Sequence, residues 1–303
     1  MSMRISRSLL TMIRLFEGAK HTEAYASFRP QTPLKVAEIM MNYLKKRMPP
    51  SSSGLYQKML DVGCGSGQSV KIFSPYFETL VGIDPSSNQI EMAKKNINDA
   101  KILFDVGFGE DIKFGNESVD LITTCQAIHW MDFQKFFNEC HRTLKPDGCL
   151  LVHGYDRPRI FSHSSNKIKL DCAEAGNRAE KAFKRFYAKC KFHPRRTHID
   201  DHYSRVFDSL QSDHKTKDES VTIQKTCSLA DFISYIDTWS GYIKYLEDAK
   251  KVADGKVENI LDIFIQTILQ EWGLVGHKLD EINVDVIWNV FMIMSERPMF
   301  DAS

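Results

Sequence analysis

No run in this chain approaches the roughly 20 consecutive apolar residues that a bilayer-spanning helix needs, so nothing in the sequence points into a membrane. An excess of charge is missing too: 40 Lys and Arg face 39 Asp and Glu, for a net charge of +1. Without a global field of one sign, attraction to nucleic acid or acidic lipid would need a local patch. The seven cysteines (Cys64, Cys125, Cys140, Cys149, Cys172, Cys190 and Cys227) are scattered, odd in number and form no CxxC pair. That argues against a disulfide framework or a cysteine zinc site and suits reduced thiols in a cytosol-like compartment. Internal repeats and long low-complexity segments are also missing. What remains is the composition of an ordinary soluble globular protein, 43% hydrophobic and 26% charged over 303 residues, long enough for one large domain or two.

The start, "MSMRISRSLLTMIRLF", carries Arg4, Arg7 and Arg14 with no acid before Glu17. It fits a mitochondrial presequence or a frayed N-terminal helix. The second reading is favoured, and with it a cytoplasmic protein.

From residue 56 to about 155, short apolar runs alternate with helical patterns. "KMLDV", "TLVGID", "KILFDV", "VDLITTC" and "GCLLVHGY" read as strands; "SVKIFSPYF", "SNQIEMAKKNI" and "FQKFFNECHRTL" read as helices. That rhythm predicts an α/β fold, with a parallel sheet covered by helices on both faces. After Pro158 it breaks. Residues 165–192 read as one or two helices and 197–210 as another, "SDHKTKDES" as a polar loop and "VTIQKT" as a strand. Residues 229–247 and 256–272 read as helices, and "VDVIWNVFMIM" as a late strand returning to the sheet. The second half is therefore expected to be a helical cap with closing strands rather than an independent domain.

The stretch "MLDVGCGSGQSV" places three alternating glycines between a strand and a helical segment. Such a turn lets backbone approach a ligand and points helix N–H groups at it. Dinucleotide-binding proteins space their glycines GxGxxG, but here Gly63, Gly65 and Gly67 give GxGxG, with Gln68 where a third dinucleotide glycine would fall. No GK[ST] follows, which excludes a P-loop.

Asp61–Gly67 resembles the D/E-x-G-x-G-x-G motif of class I S-adenosylmethionine-dependent methyltransferases. In that family an acid at the place of Asp84, which closes the second strand, holds both ribose hydroxyls. A carboxylate suits that task, because it accepts two charge-assisted hydrogen bonds from a vicinal diol. "GFGEDIKFGNESVDLITT" resembles the segment that meets adenine, and "KPDGCLLV" the approach to the fifth strand. Phe108 departs from the pattern, since it cannot bond the adenine amine, and the contact passes to Glu110 or to backbone near Gly109 and Glu110. "QAIHWMD", "EAYASFRPQTP" and "DTWSGY" are similar to the trans-aconitate methyltransferase group and related small-carboxylate methyltransferases, from about Leu15 onward, with 160–225 matching loosely.

The resemblance implies a Rossmann-like fold with a mostly parallel seven-stranded sheet, helices on both faces and a helical cap. It divides the chain into an N-terminal helical segment covering the cofactor site (1–55), a cofactor-binding core (56–157), and a cap with closing strands of the same sheet (158–303). It implies S-adenosylmethionine as cofactor, held by Tyr25, Arg29, Asp61, Gly63, Cys64, Gly65, Gly67, Asp84, Pro85, Ser86, Gly109, Glu110, Cys125 and Gln126. His129, Trp130, Trp239 and Tyr242 are the catalytic and acceptor-side candidates.

Each assignment has a plainer rival. Asp84 also reads as a helix cap in "DPSS", and Glu110 as an ordinary loop acid. Trp130 is a pocket wall or a core tryptophan; His129 faces the core, stacks on the cofactor or acts as a base. Tyr25 and Arg29 stand four apart and can share a helix face, with Arg29 binding a carboxylate or capping a helix. Trp239 and Tyr242 line the pocket or simply pack cap on core. The basic, aromatic stretch 177–196 could meet RNA, but Phe183, Tyr187 and Cys190 form one apolar stripe of an amphipathic helix. His198 and His202 offer two metal ligands one turn apart, without a third, so no metal is expected.

The expected activity is methyl transfer to a small molecule, with a carboxylate oxygen favoured as acceptor. The rivals are methylation of an amine or of RNA, and a cofactor-binding protein that has lost turnover. NPPY-type motifs and a PC nucleophile are absent, which lowers the nucleic-acid reading. A small-molecule partner is expected and a membrane is not; the oligomeric state stays open.

Overall fold

The computed structural model describes residues 30–166, 172–252 and 259–300. Tyr25, Arg29 and the arginine-rich start lie outside them. Five strands run parallel: β1 (Tyr56–Val62), β2 (Phe77–Asp84), β3 (Ile102–Val106), β4 (Val119–Cys125) and β5 (Leu144–Tyr155). β6 (Arg159–Ser162), β7 (Lys215–Asp218), β8 (Thr222–Ser228) and β9 (Asn283–Glu296) complete a sheet with order β3-β2-β1-β4-β5-β9-β6. β9 is antiparallel to all four of its partners. Residues 290–296 pair with β5 and 292–295 with β7, while residues 284–287 pair with β6 and 283–289 with β8.

Among the described residues the sheet therefore has nine strands rather than the expected seven. The difference lies partly in "SDHKTKDES", expected as a loop, where Lys215–Asp218 forms a strand on the outer edge of β9. Lys215 and Lys217 reach the 204–210 segment, and the backbone satisfies an edge that would otherwise lack partners.

One face of the sheet is covered by α1 (Leu34–Arg47) and α2 (Ser87–Asn96), the other by α3 (Phe133–Thr143). In α1, Val36, Ala37, Met40, Met41 and Leu44 recur at helical spacing and are buried, while Lys45, Lys46 and Arg47 fill the last turn, where cations suit the helix dipole. The segment "SVKIFSPYF", read as a helix, is helical but not α. It is a 3₁₀ helix over Val70–Tyr76, because Pro75 removes an N–H that a fourth-residue ladder would use and the strand resumes at Phe77.

Beyond residue 158 a helical layer is interspersed with β6–β9: α4 (Cys172–Lys189), α5 (Leu229–Asp237), α6 (Ser240–Val252) and α7 (Ile260–Trp272). Its core packs Phe183, Phe186, Phe232, Phe264 and Trp272 against Val284, Val286 and Trp288 of β9. Each such side chain contributes roughly 1.5–3 kcal/mol on burial, and this cluster meets the sheet through the three β9 residues. No helix among the described residues is long and apolar enough to cross a membrane.

Candidate functional site

A pocket opens at the carboxyl ends of the parallel strands, where open α/β sheets bind ligands. Every strand from β1 to β5 delivers residues to it: the loop after β1, Asp84–Ser86 after β2, Gly107–Glu110 after β3, Cys125–Ala127 and Trp130–Met131 after β4, and Tyr155 at the end of β5. Pro30 and Thr32 line it from the N-terminal side.

The glycine loop is built by backbone. The N–H groups of Gly63 and Cys64 both donate to the Ile83 carbonyl, at 2.8 and 3.0 Å, and Gly67 N–H donates to Cys64 O at 3.0 Å. Gly63, Gly65 and Gly67 all have positive φ, which other residues adopt at a cost. A Cβ on Gly63 would stand 2.4 Å from Ala127 Cβ, so this glycine lets the ends of β1 and β4 meet. At Gly65 a Cβ would meet only Gln89 Oε1, at 3.7 Å; the loop is open there, and bare backbone faces the pocket.

Asp84 answers its rival reading. The cap of α2 is Ser86, whose Oγ accepts the Gln89 N–H at 3.4 Å. Asp84 instead faces the loop: Oδ2 accepts Gly65 N–H at 3.0 Å and Oδ1 accepts Ser86 N–H at 2.9 Å. One of these bonds ties it to the glycine loop and the other to the turn that starts α2, and the residue lines the pocket.

Asp61 behaves differently from its expected part in holding the cofactor. It is fully buried, does not line the pocket, and accepts the hydroxyls of Ser69 (2.9 Å) and Thr123 (2.7 Å). Burial raises its pKa to about 6 against the opposing effect of these two bonds. Its place is beneath the loop, joining β1, β4 and the turn after the glycines. Burial, together with Asp61 and Asp84, pushes the Cys64 thiol well above its ordinary pKa, so it is neutral.

After β3, Phe108 and Glu110 both line the pocket. Glu110 Oε1 accepts the N–H of Asp132, the cap of α3, at 2.9 Å. A Cβ on Gly109 would meet Met131 Sδ at 2.8 Å and Val62 Cγ1 at 3.0 Å. After β4, Gln126 takes a left-handed conformation (φ 55°), held by its N–H to His153 O (3.0 Å) and its Nε2 to Tyr155 O (2.7 Å). A non-glycine in that region is costly and tends to mark functional sites.

The acceptor-side candidates separate. Trp130 lines the pocket. His129, its neighbour, is buried and does not line the pocket; its ring lies 5.0 Å from that of Trp130 and its Nδ1 2.9 Å from the Tyr203 hydroxyl. Trp239 and Tyr242 do not reach the pocket. Trp239 packs among Phe183, Phe186, Tyr187, Phe192 and Tyr235, and Tyr242 Oη donates to Asn259 Oδ1 at 2.7 Å. They are the core of the cap, because helix α4 brings the aromatic stripe that covers them. The histidine pair also separates: the helix begun at Thr197 ends at Asp200, His198 meets Phe133 edge-on, and His202 stacks on Phe291. Among the described residues no group of three metal-ligating side chains is assembled.

Thr32, Gln89, Met131 and Tyr155 line the pocket without having been read as site residues. Tyr155 had a signal. It closes the apolar run "GCLLVHGY" as Asp84 closes "TLVGID", and both ends open on the same sheet edge.

Residues 60–152 match a methyltransferase domain family. Over 91% of its length the chain is 26% identical to a candidate methyltransferase of Dictyostelium discoideum, covering 93% of that protein. Over 90% it is 25% identical to a candidate S-adenosylmethionine-dependent methyltransferase of Saccharomyces cerevisiae, covering 94% of it. Its fold is that of a candidate type II methyltransferase from Anaeromyxobacter dehalogenans, with a TM-score of 0.65 at 20% identity, covering 89% of this chain and 98% of that one. The glycine loop, the domain match over the strands that carry it and the two relatives of matching length agree: residues 60–152 carry a methyltransferase domain, and the chain is an S-adenosylmethionine-dependent methyltransferase.

Proposed function

We propose that the enzyme methylates a carboxylate oxygen of a small acid, as in the trans-aconitate methyltransferase group that its motifs resemble. The observation that carries this reading is the burial of His129. The imidazole is not among the residues that line the pocket, and its Nδ1 is engaged by the Tyr203 hydroxyl at 2.9 Å, although its ring lies 5.0 Å from that of Trp130. A carboxylate needs no such base, since its reference pKa is about 4 and it is ionised at neutral pH.

In this reading Asp84 takes the ribose hydroxyls, and backbone at Gly109 with Glu110 meets adenine against the Phe108 ring. The loop Gly63–Gly65, with Cys125 and Gln126, takes the amino-acid end. Pro30 and Thr32 reach the pocket, which supports a role for the segment 1–55 in covering it. S-adenosylmethionine supplies an electrophilic methyl carbon; the residues of this chain align it, exclude water and hold the acceptor oxygen in line. Positioning of that kind is worth up to about 7–11 kcal/mol.

The test is a screen with methyl-labelled cofactor against pools of small acids, amines and RNA. Label should enter the acid pool as an ester that mild alkali hydrolyses with release of methanol. Label that enters amines and survives alkali overturns the carboxylate reading.

A further inference from the structure

The wall formed by Trp130 is held from outside the strand that carries it. Ile128–Trp130 is a single 3₁₀ turn, closed by Trp130 N–H to Ala127 O and Met131 N–H to Ile128 O, both at 2.9 Å. A turn this short leaves its last carbonyls pointing outward. One guanidinium nitrogen gathers them: Arg195 Nη1 donates to Trp130 O and, at 3.2 Å, to His129 O, with Met131 O at 3.5 Å.

Arg195 sits in a second short turn, Pro194–Arg196, and is itself fixed there. Its N–H donates to His193 Nδ1 at 3.2 Å, and the His193 ring lies 5.0 Å from the Trp130 ring. The same arm is tied to the cap, through Lys191 N–H to Gly241 O at 2.7 Å. Eight residues beyond Arg195, Tyr203 meets His129. The segment between the cap helix α4 and β7 thus touches the turn on its carbonyl side, at the Trp130 ring and at His129.

We propose that Arg195 is a positioning residue for methyl transfer: it fixes the carbonyls of the 129–131 turn and so sets where the Trp130 ring stands against the acceptor. This rests on Trp130 being the acceptor-side wall. Arginine suits the role because its planar fork stays charged and can serve several carbonyls at once, whereas lysine offers a point charge on a flexible stem. Deleting it leaves the turn formed but free to shift, and displacements of about 1 Å at a reacting centre cost on the order of a hundredfold.

The test uses the full chain labelled with 5-fluorotryptophan, whose four tryptophans give four fluorine resonances; Trp130→Phe identifies the one from Trp130. Arg195→Ala should move or broaden the Trp130 resonance and leave those of Trp239, Trp272 and Trp288 in place. Arg195→Lys should restore it in part. Affinity for S-adenosylhomocysteine should change by less than about tenfold, while labelled transfer into a pool of small carboxylic acids falls by about 10- to 100-fold. An unchanged Trp130 resonance in Arg195→Ala, or equal displacement of all four, overturns the positioning role. A wild-type Trp130 resonance that responds neither to S-adenosylhomocysteine nor to the acids overturns the wall reading beneath it. If the acids accept no label, the carboxylate reading alone falls, and the resonances still decide the role of Arg195.

Discussion

The Asp84 carboxylate accepts the Gly65 N–H at 3.0 Å, so the acid that ends β2 fastens the loop that ends β1. One side chain thereby shapes the pocket and faces it. Asp84→Ala should lose both the loop tie and the diol contact. At about 1.5–3 kcal/mol per charge-assisted bond, affinity for S-adenosylhomocysteine should fall at least tenfold by calorimetry. Asp84→Asn, which keeps one acceptor oxygen, should fall between. Unchanged affinity in the alanine variant would remove Asp84 from the site.

Gly63→Ala tests how tightly β1 and β4 meet. The new methyl would need a left-handed backbone and would stand 2.4 Å from Ala127 Cβ. Left-handed strain and overpacking each cost about 1–3 kcal/mol. Urea denaturation should show a loss of at least about 2 kcal/mol together with weakened cofactor binding. A variant as stable as wild type would contradict the close approach.

Asp61 makes stability depend on pH. Its pKa is raised from 3.8 to about 6 by burial, so the folded protein holds the proton more tightly than the unfolded chain. Stability from this group is therefore present at low pH and lost as the pH rises from about 4 to about 6. Compared with wild type, Asp61→Asn should lack this loss and gain on the order of 2–3 kcal/mol across that window. Parallel pH profiles for the two proteins would rule out the raised pKa.

Trp239→Ala separates cap packing from pocket lining. The side chain is buried among five aromatic rings and away from the pocket. Removing it should cost about 3–5 kcal/mol of stability, while affinity for S-adenosylhomocysteine in the folded fraction stays near wild type. Loss of affinity with little loss of stability would return Trp239 to the site.

The strands of the core were legible because each carries its own signal: an apolar run, then a polar or glycine residue where the chain turns over the sheet edge. Asp84, Gln126 and Trp130 all follow from that rule, and Tyr155 could have. The helix expected over residues 69–77 is present as a 3₁₀ helix at Val70–Tyr76, its type set by one local residue, Pro75. Lys215–Asp218 was not legible because its strand character comes from β9, some seventy residues later, and not from its own side chains. Trp239 and Tyr242 were misplaced for a related reason: their environment is made by Phe183 and Phe186 on another helix. Arg195 carries no pattern at all. A basic residue in a basic stretch becomes specific only when the fold brings three carbonyls to it.

In the proposed reaction the acceptor is ionised before it binds, and His129 is a structural residue. The direct measurement is the rate of labelled methyl transfer to the accepting acid from about pH 6 to 9, in wild type and His129→Asn. With a carboxylate acceptor, whose reference pKa is about 4, both profiles should be nearly flat and the variant should keep much of the wild-type rate. A rate that falls as pH drops through the histidine range near 6.5 in wild type, and that is largely lost in His129→Asn, would show proton removal by His129 and contradict the account.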